Sequence, residues 1–133
     1  MIVLDASVVA KWFKPDEVSS QADFYLTEHT AGRESIAVPT LLLYELTSVL
    51  RHSAKLSKIS IETALIILFD ARLTFVSPDD QLLITAVEIS EHTGISIYDA
   101  SYVALAQRLN CVLVTADKKL AHTAKTTVAI TLL

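Results

Sequence analysis

The chain has 133 residues, 52% of them apolar, with two glycines and three prolines, which describes a single ordered domain and excludes a disordered or linker protein. Its net charge of −4 counts against a basic nucleic-acid-binding face. A cluster of acids around a bound cation would reverse the local charge, so the total leaves a nucleic-acid ligand open. One cysteine permits no internal disulfide, and no apolar run reaches the roughly 20 residues of a membrane span. Met1 to Asp5 has no basic stretch of the kind that opens a signal peptide, so a soluble, cytoplasmic protein without membrane attachment is expected. The mean hydropathy of +0.46 is high for such a domain, and part of the apolar excess is expected to face a partner.

In chain order, Ile2-Val3-Leu4 reads as a buried strand and residues 6–14 as a helix stopped by Pro15. Asp16 is placed to cap a second helix reaching about Thr30. A short strand over 35–38 follows, and Pro39 opens a helix over about 40–54. Ser60 is the expected cap of the next helix, to about Arg72, before a strand over 74–76. Pro78-Asp79-Asp80 starts a helix to about His92 that Gly94 ends. Residues 98–109 read as a helix with Ala100, Val103, Ala104 and Leu105 on its apolar face. A strand over 111–114 carries Cys111 among apolar neighbours, as an inert thiol. A short helix over 118–122 and a last strand over 128–130 complete the chain. Short apolar strands alternating with helices predict one α/β domain, residues 1–133, with a mainly parallel central sheet flanked by helices. Such sheets bind ligands beyond the carboxyl ends of their strands.

Fifteen residues are acidic, and most sit in polar stretches or at helix starts. Four differ. Asp5 directly follows the first strand, and Asp117 follows the Val112-Leu113-Val114 run, which places both at the ligand-binding edge. Glu45 lies among Leu41, Leu42 and Val49 on a helix, and Asp99 opens the helix bearing Val103 and Ala104. A carboxylate among such neighbours loses hydration unless it is paired or bound to a cation. Each has a plainer reading: helix capping for Asp5 and Asp99, a turn or cap for Asp117, and pairing with Arg51, His52 or a distant base for Glu45. A metal held by all four would be hard, Mg²⁺ or Mn²⁺, because the four histidines show no zinc-ligand spacing.

The blocks Ile2-Val3-Leu4-Asp5-Ala6-Ser7, Pro39-Thr40-Leu41-Leu42-Leu43-Tyr44-Glu45-Leu46, Tyr98-Asp99-Ala100-Ser101-Tyr102-Val103-Ala104-Leu105-Ala106 and Leu113-Val114-Thr115-Ala116-Asp117-Lys118-Lys119-Leu120 occur in this order. In them the chain resembles PIN-domain ribonucleases, most closely VapC-type toxins. The resemblance implies a Rossmann-like PIN fold and an acidic metal quartet of Asp5, Glu45, Asp99 and Asp117. It also implies Ser7 and Thr115 as hydroxyls near the metal or its waters, although helix capping and turn formation would explain them equally. The activity implied is Mg²⁺- or Mn²⁺-dependent hydrolysis of RNA by water, leaving a 5′-phosphate and a 3′-hydroxyl. The partners implied are RNA, a cognate VapB-type antitoxin and a second copy in a homodimer. Val8, Val9, Trp12, Phe13 and the 65–69 stretch exceed what one helix face must bury; core packing explains most of them, and part of the remainder is expected to form a dimer seam and an antitoxin groove. Lys11, Lys118 and Lys119 flank the acids, where they either contact RNA phosphates or simply solubilise the surface.

Alternatives remain at this point. The chain could be a PIN-type RNA-processing nuclease without a toxin role, or a non-catalytic acidic-pocket binding or signalling domain. A phosphoacceptor domain would want adjacent acids after the first strand, and a haloacid-dehalogenase-like phosphatase would want Asp-x-Asp there. Asp5-Ala6-Ser7 supplies neither.

Overall fold

A computed structural model describes residues 1–133. Five parallel strands form one sheet: β1 (Ile2–Leu4), β2 (Ile36–Pro39), β3 (Thr74–Val76), β4 (Val112–Thr115) and β5 (Ile130–Leu132), in the spatial order β3-β2-β1-β4-β5. The central register pairs Val3 with Ala37 and Leu4 with Val114. Every residue of β1 and β2 is buried, as expected of parallel strands covered on both faces. The helices are α1 (Ala6–Val9), α2 (Ser20–Thr30), α3 (Leu41–Ser48), α4 (Lys58–Asp70), α5 (Asp80–Thr93), α6 (Ile97–Arg108) and α7 (Lys118–Ala124). None is long and apolar enough to cross a membrane.

The predicted class and parallel sheet are found, with differences at several element ends. The first helix tightens after Val9 into a 3₁₀ turn over Ala10–Trp12, so only its first half is α-helical. Ser19, not Asp16, caps α2, its hydroxyl accepting from the Ala22 amide at 3.2 Å. Likewise Ser57, not Ser60, caps α4, and Ser60 lies inside the first turn as the donor to it. α3 loosens into a π turn over Val49–Ser53, where the Ala54 amide reaches back to the Val49 carbonyl at 2.9 Å. The last strand begins at Ile130 because the amides of Thr127 and Val128 still bond to the Ala124 carbonyl behind α7.

α6 is the centre of the fold. Six of its residues are buried, and it packs against β1, β2 and β4 with α5 alongside. A forked ion pair from Arg108 to Asp79 joins the end of α6 to the start of α5. That pair holds the Asp79 carboxyl down to about 2. His29 ties a further corner, with Nε2 2.9 Å from the Ala71 carbonyl and Nδ1 facing the Ile36 amide. Nδ1 also lies 3.2 Å from the Glu34 carbonyl, so both ring nitrogens are engaged by backbone and this histidine is structural. Val8 and Val9 are wholly buried, and Trp12 and Phe13 are partly buried against the core, so most of the apolar surface near the first helix is used in packing.

Because β1 and β4 are parallel neighbours, their carboxyl ends share one sheet edge. Asp5 extends the ladder by one bond, its amide donating to the Val114 carbonyl at 3.0 Å. α3 leaves β2 at the same edge, and α6 starts above it.

Candidate functional site

At that edge Asp5, Ser7, Glu45, Asp99 and Asp117 line one cleft of about 410 Å³. The four acids singled out from the sequence are therefore brought together from β1, α3, α6 and the β4–α7 turn. Thr115 lies beneath them, fully buried.

Asp5 is only 6% exposed and is the most constrained of the four. Its Oδ2 accepts from Ser7 Oγ at 2.6 Å and from Thr115 Oγ1 at 2.7 Å. Each hydroxyl has one proton, and both protons are spent on this oxygen. The 3.3 Å approach of the two hydroxyls is therefore a consequence of their shared acceptor. Their lone pairs in turn accept amides of the turn after β4: Ala116 on Ser7 at 2.9 Å and Asp117 on Thr115 at 3.0 Å. Ser7 and Thr115 thus fix Asp5 and the turn carrying Asp117 as one unit. Asp5 occupies the first-turn boundary of α1 but makes no side-chain cap bond.

Asp117 does cap a helix. Its Oδ1 accepts from the amides of Lys119 and Leu120 at 2.8 and 3.0 Å. Glu45 has neither Arg51 nor His52 as a partner. The buried Tyr102 hydroxyl donates to its Oε1 at 2.6 Å. Asp99 lies in the first turn of α6, but Ser96 is the cap, accepting from the Asp99 amide at 3.1 Å.

Burial pushes the Glu45 carboxyl up, and the charges of Asp5 and Asp99 add to this against the opposing Tyr102 bond. Burial also pushes Asp99 up, aided by Asp5 and Asp117, while Ser96 and Lys119 oppose. The Tyr102 hydroxyl is raised far above its ordinary range by burial and by Glu45, so it stays a donor at any physiological pH. Four like charges in one cleft favour protons or a cation among them.

The donor chemistry fits a hard divalent ion. Asp5, Glu45 and Asp117 each have one oxygen held by the protein and one without a hydrogen bond. No histidine or cysteine lines the cleft, which suits oxygen-only ligation. As placed, the side chains do not form a finished cage, since no three His, Cys, Asp or Glu groups stand close enough to hold an ion. Hydrogen bonds pin three of the carboxylates, and like-charge repulsion favours keeping the free oxygens apart.

Sequence reasoning missed three residues here. Tyr102 lies 57 positions from Glu45 and reads as core. Lys14 and Glu17 read as a helix end and a solvated acid, yet both line the cleft beside Lys11. Lys118 and Lys119 are exposed and lie outside the lining.

The sequence matches the PIN domain family over residues 2–126. The chain belongs to the PIN domain family. Among its curated relatives, ribonuclease VapC9 of Mycobacterium tuberculosis is 35% identical over 133 residues, spanning 98% of this chain and 97% of the relative. Ribonuclease VapC3 of Pyrobaculum aerophilum is 28% identical over 125 residues, covering 91% of this PIN domain and 92% of that protein. Among solved structures, VapBC2 of Rickettsia felis, bound to a DNA fragment from its promoter, superposes with a TM-score of 0.75 at 18% identity. That match covers 100% of this chain and 99% of the other and bears on the fold.

Proposed function

We propose that this PIN domain is a metal-dependent endoribonuclease acting as the toxin of a type II toxin–antitoxin pair. The observation carrying the proposal is the convergence of Asp5, Glu45, Asp99 and Asp117 on one cleft. The relatives named as ribonucleases support RNA as the substrate. These four carboxylates would hold Mg²⁺ or Mn²⁺, which when bound neutralises charge on a phosphate and makes water a better nucleophile. The protein's own part is positioning. Ser7 and Thr115 hold Asp5, the Asp117 cap bonds hold its carboxylate, and Tyr102 holds Glu45, so one oxygen of each is fixed and ion binding would have only the remaining oxygens to draw together.

Hydrolysis by water leaves a 5′-phosphate and a 3′-hydroxyl. Mass spectrometry of cleaved RNA tests this, and a 2′,3′-cyclic phosphate product would refute it. Asp99→Asn is expected to lower kcat/KM at least about 100-fold, since loss of even an outer-shell partner costs 10–100-fold. Activity that survives both this change and EDTA would remove the metal from the proposal.

A VapB-type antitoxin is the inferred partner, supported by structural relatives that are VapBC complexes. The predicted 65–69 stretch leaves Ile66, Ile67 and Phe69 exposed on α4, with Ile59 a turn or two earlier. This face suits an apolar antitoxin segment. A second copy is inferred on another face, the groove of α3, α5 and α6 lined by Tyr44, Leu83, Ile97 and Tyr98. Growth arrest on expression, relieved by the co-encoded antitoxin, tests the toxin role.

A further inference from the structure

The cleft that gathers the acids also carries two basic residues, Lys11 and Lys14, on the 3₁₀ turn after α1 and just beyond it. Neither behaves as a solubilising surface lysine. The Lys11 side chain is 22% exposed and that of Lys14 13%. Both ammonium groups converge on Glu17, which lines the same cleft. Lys14 Nζ binds Glu17 Oε1, and Lys11 Nζ stands 3.5 Å from Oε2. One carboxylate is thus shared by two cations, an oxygen to each, and the pair holds its carboxyl below the ordinary range.

Two ammoniums spaced to take the two oxygens of a carboxylate are equally spaced for the two non-bridging oxygens of a phosphodiester. The setting gives this geometry a use. A polyanion entering the cleft meets Asp5, Glu45, Asp99 and Asp117, and Lys11 and Lys14 are the cationic residues of its lining that would draw it in. In the free protein Glu17 neutralises them. Glu17 sits outside any helix or strand, between the 3₁₀ turn and α2, and its side chain is 41% exposed. Its removal from the lysines would therefore disturb no buried contact.

We propose that Lys11 and Lys14 form a docking subsite for an RNA backbone phosphate neighbouring the one that is cut, and that Glu17 occupies this subsite in the free protein as a built-in competitor. The proposal rests on the RNA-cleavage reading above. Binding of a short fluorescein-labelled single-stranded RNA, followed by anisotropy in EDTA across a salt series, tests it without turnover. Glu17→Gln is expected to tighten binding at least threefold at low salt. The exposed Glu88→Gln on α5 removes the same charge elsewhere and should change affinity less than twofold. Lys11→Gln and Lys14→Gln should each weaken binding and flatten the dependence of log K on log salt by about 0.7, the value of one single-strand phosphate contact. With Mg²⁺ present, Glu17→Gln should lower KM. If wild-type protein binds and cuts RNA but Glu17→Gln behaves like Glu88→Gln, or the lysine variants keep the full salt slope, the subsite is wrong and the nuclease stands. If wild-type protein neither binds nor cuts RNA, both readings fall.

Discussion

A tyrosine hydroxyl decides which oxygen of Glu45 is left for a ligand. Tyr102 is fully buried in α6, and its bond to Oε1 crosses from the core into the cleft. Tyr102→Phe keeps the ring packing and removes that bond alone. Stability should fall by about 1.5–3 kcal/mol in urea unfolding, as for other hydrogen bonds to a charged group. Mn²⁺ affinity by calorimetry should fall about tenfold, the usual cost of losing a partner behind a ligand. A stability loss with unchanged Mn²⁺ affinity would leave Tyr102 a purely structural residue. No spacing rule links it to Glu45, because the contact is made only once α6 lies on the sheet beside α3. Asp5 and Asp117 were legible for the opposite reason: each follows an apolar strand, and strand ends share an edge in a parallel sheet.

On the scale of elements, the cleft sets function against stability. α3 brings Glu45 and α6 brings Asp99 into mutual repulsion and partial burial, which raises both carboxyls. A raised folded-state value means the folded protein binds protons more tightly than the unfolded chain. Their contribution is therefore unfavourable at neutral pH and is relieved as pH falls through the raised values towards the ordinary carboxylate range. The metal-free protein is expected to gain thermal stability on mild acidification from neutrality, and Mg²⁺ should abolish the gain. A Tm that falls steadily over that window would contradict it. Asp79 acts in the opposite direction, the stability from its pair with Arg108 being lost as pH falls from the ordinary carboxylate range through about 2.

Helix ends show what a local reading can and cannot see. Gly94 was legible because it ends α5 at φ 74°, where a side chain is strained. Nothing lies within 4 Å of an added Cβ, so Gly94→Ala should cost about 1–2 kcal/mol from backbone strain alone. The caps of α2 and α4 were misplaced by three residues each, because Asp16 and Ser60 have the right chemistry but Ser19 and Ser57 have the right backbone. The last strand was misplaced because its start depends on where α7 releases the chain, a tertiary outcome.

For the whole molecule, the question is what the apolar excess covers. Much of it fills the core, as expected for most of the apolar residues near the first helix: Val8 and Val9 are buried. What stays exposed is concentrated on two faces, α4 and the α3–α5–α6 groove, and the second adjoins the cleft. Tyr44 precedes Glu45 and Tyr98 precedes Asp99, so the groove and the acids share two helices. Tyr44 is 80% exposed and Tyr98 63%, with Leu83, Ile84 and Val87 exposed along α5. An apolar face of this kind on one chain is the surface a two-fold axis would pair with itself. A dimer built there would set two acidic clefts side by side and bury the tyrosines that flank them. Leu83→Glu places a charge at the centre of that seam while leaving the core and the four acids untouched. Wild-type protein is expected to sediment as a dimer at micromolar concentration and the variant as a monomer with unchanged circular dichroism. Should both sediment as monomers, the groove belongs to a different partner; should both remain dimers, the seam lies elsewhere, with the α4 face the next to test.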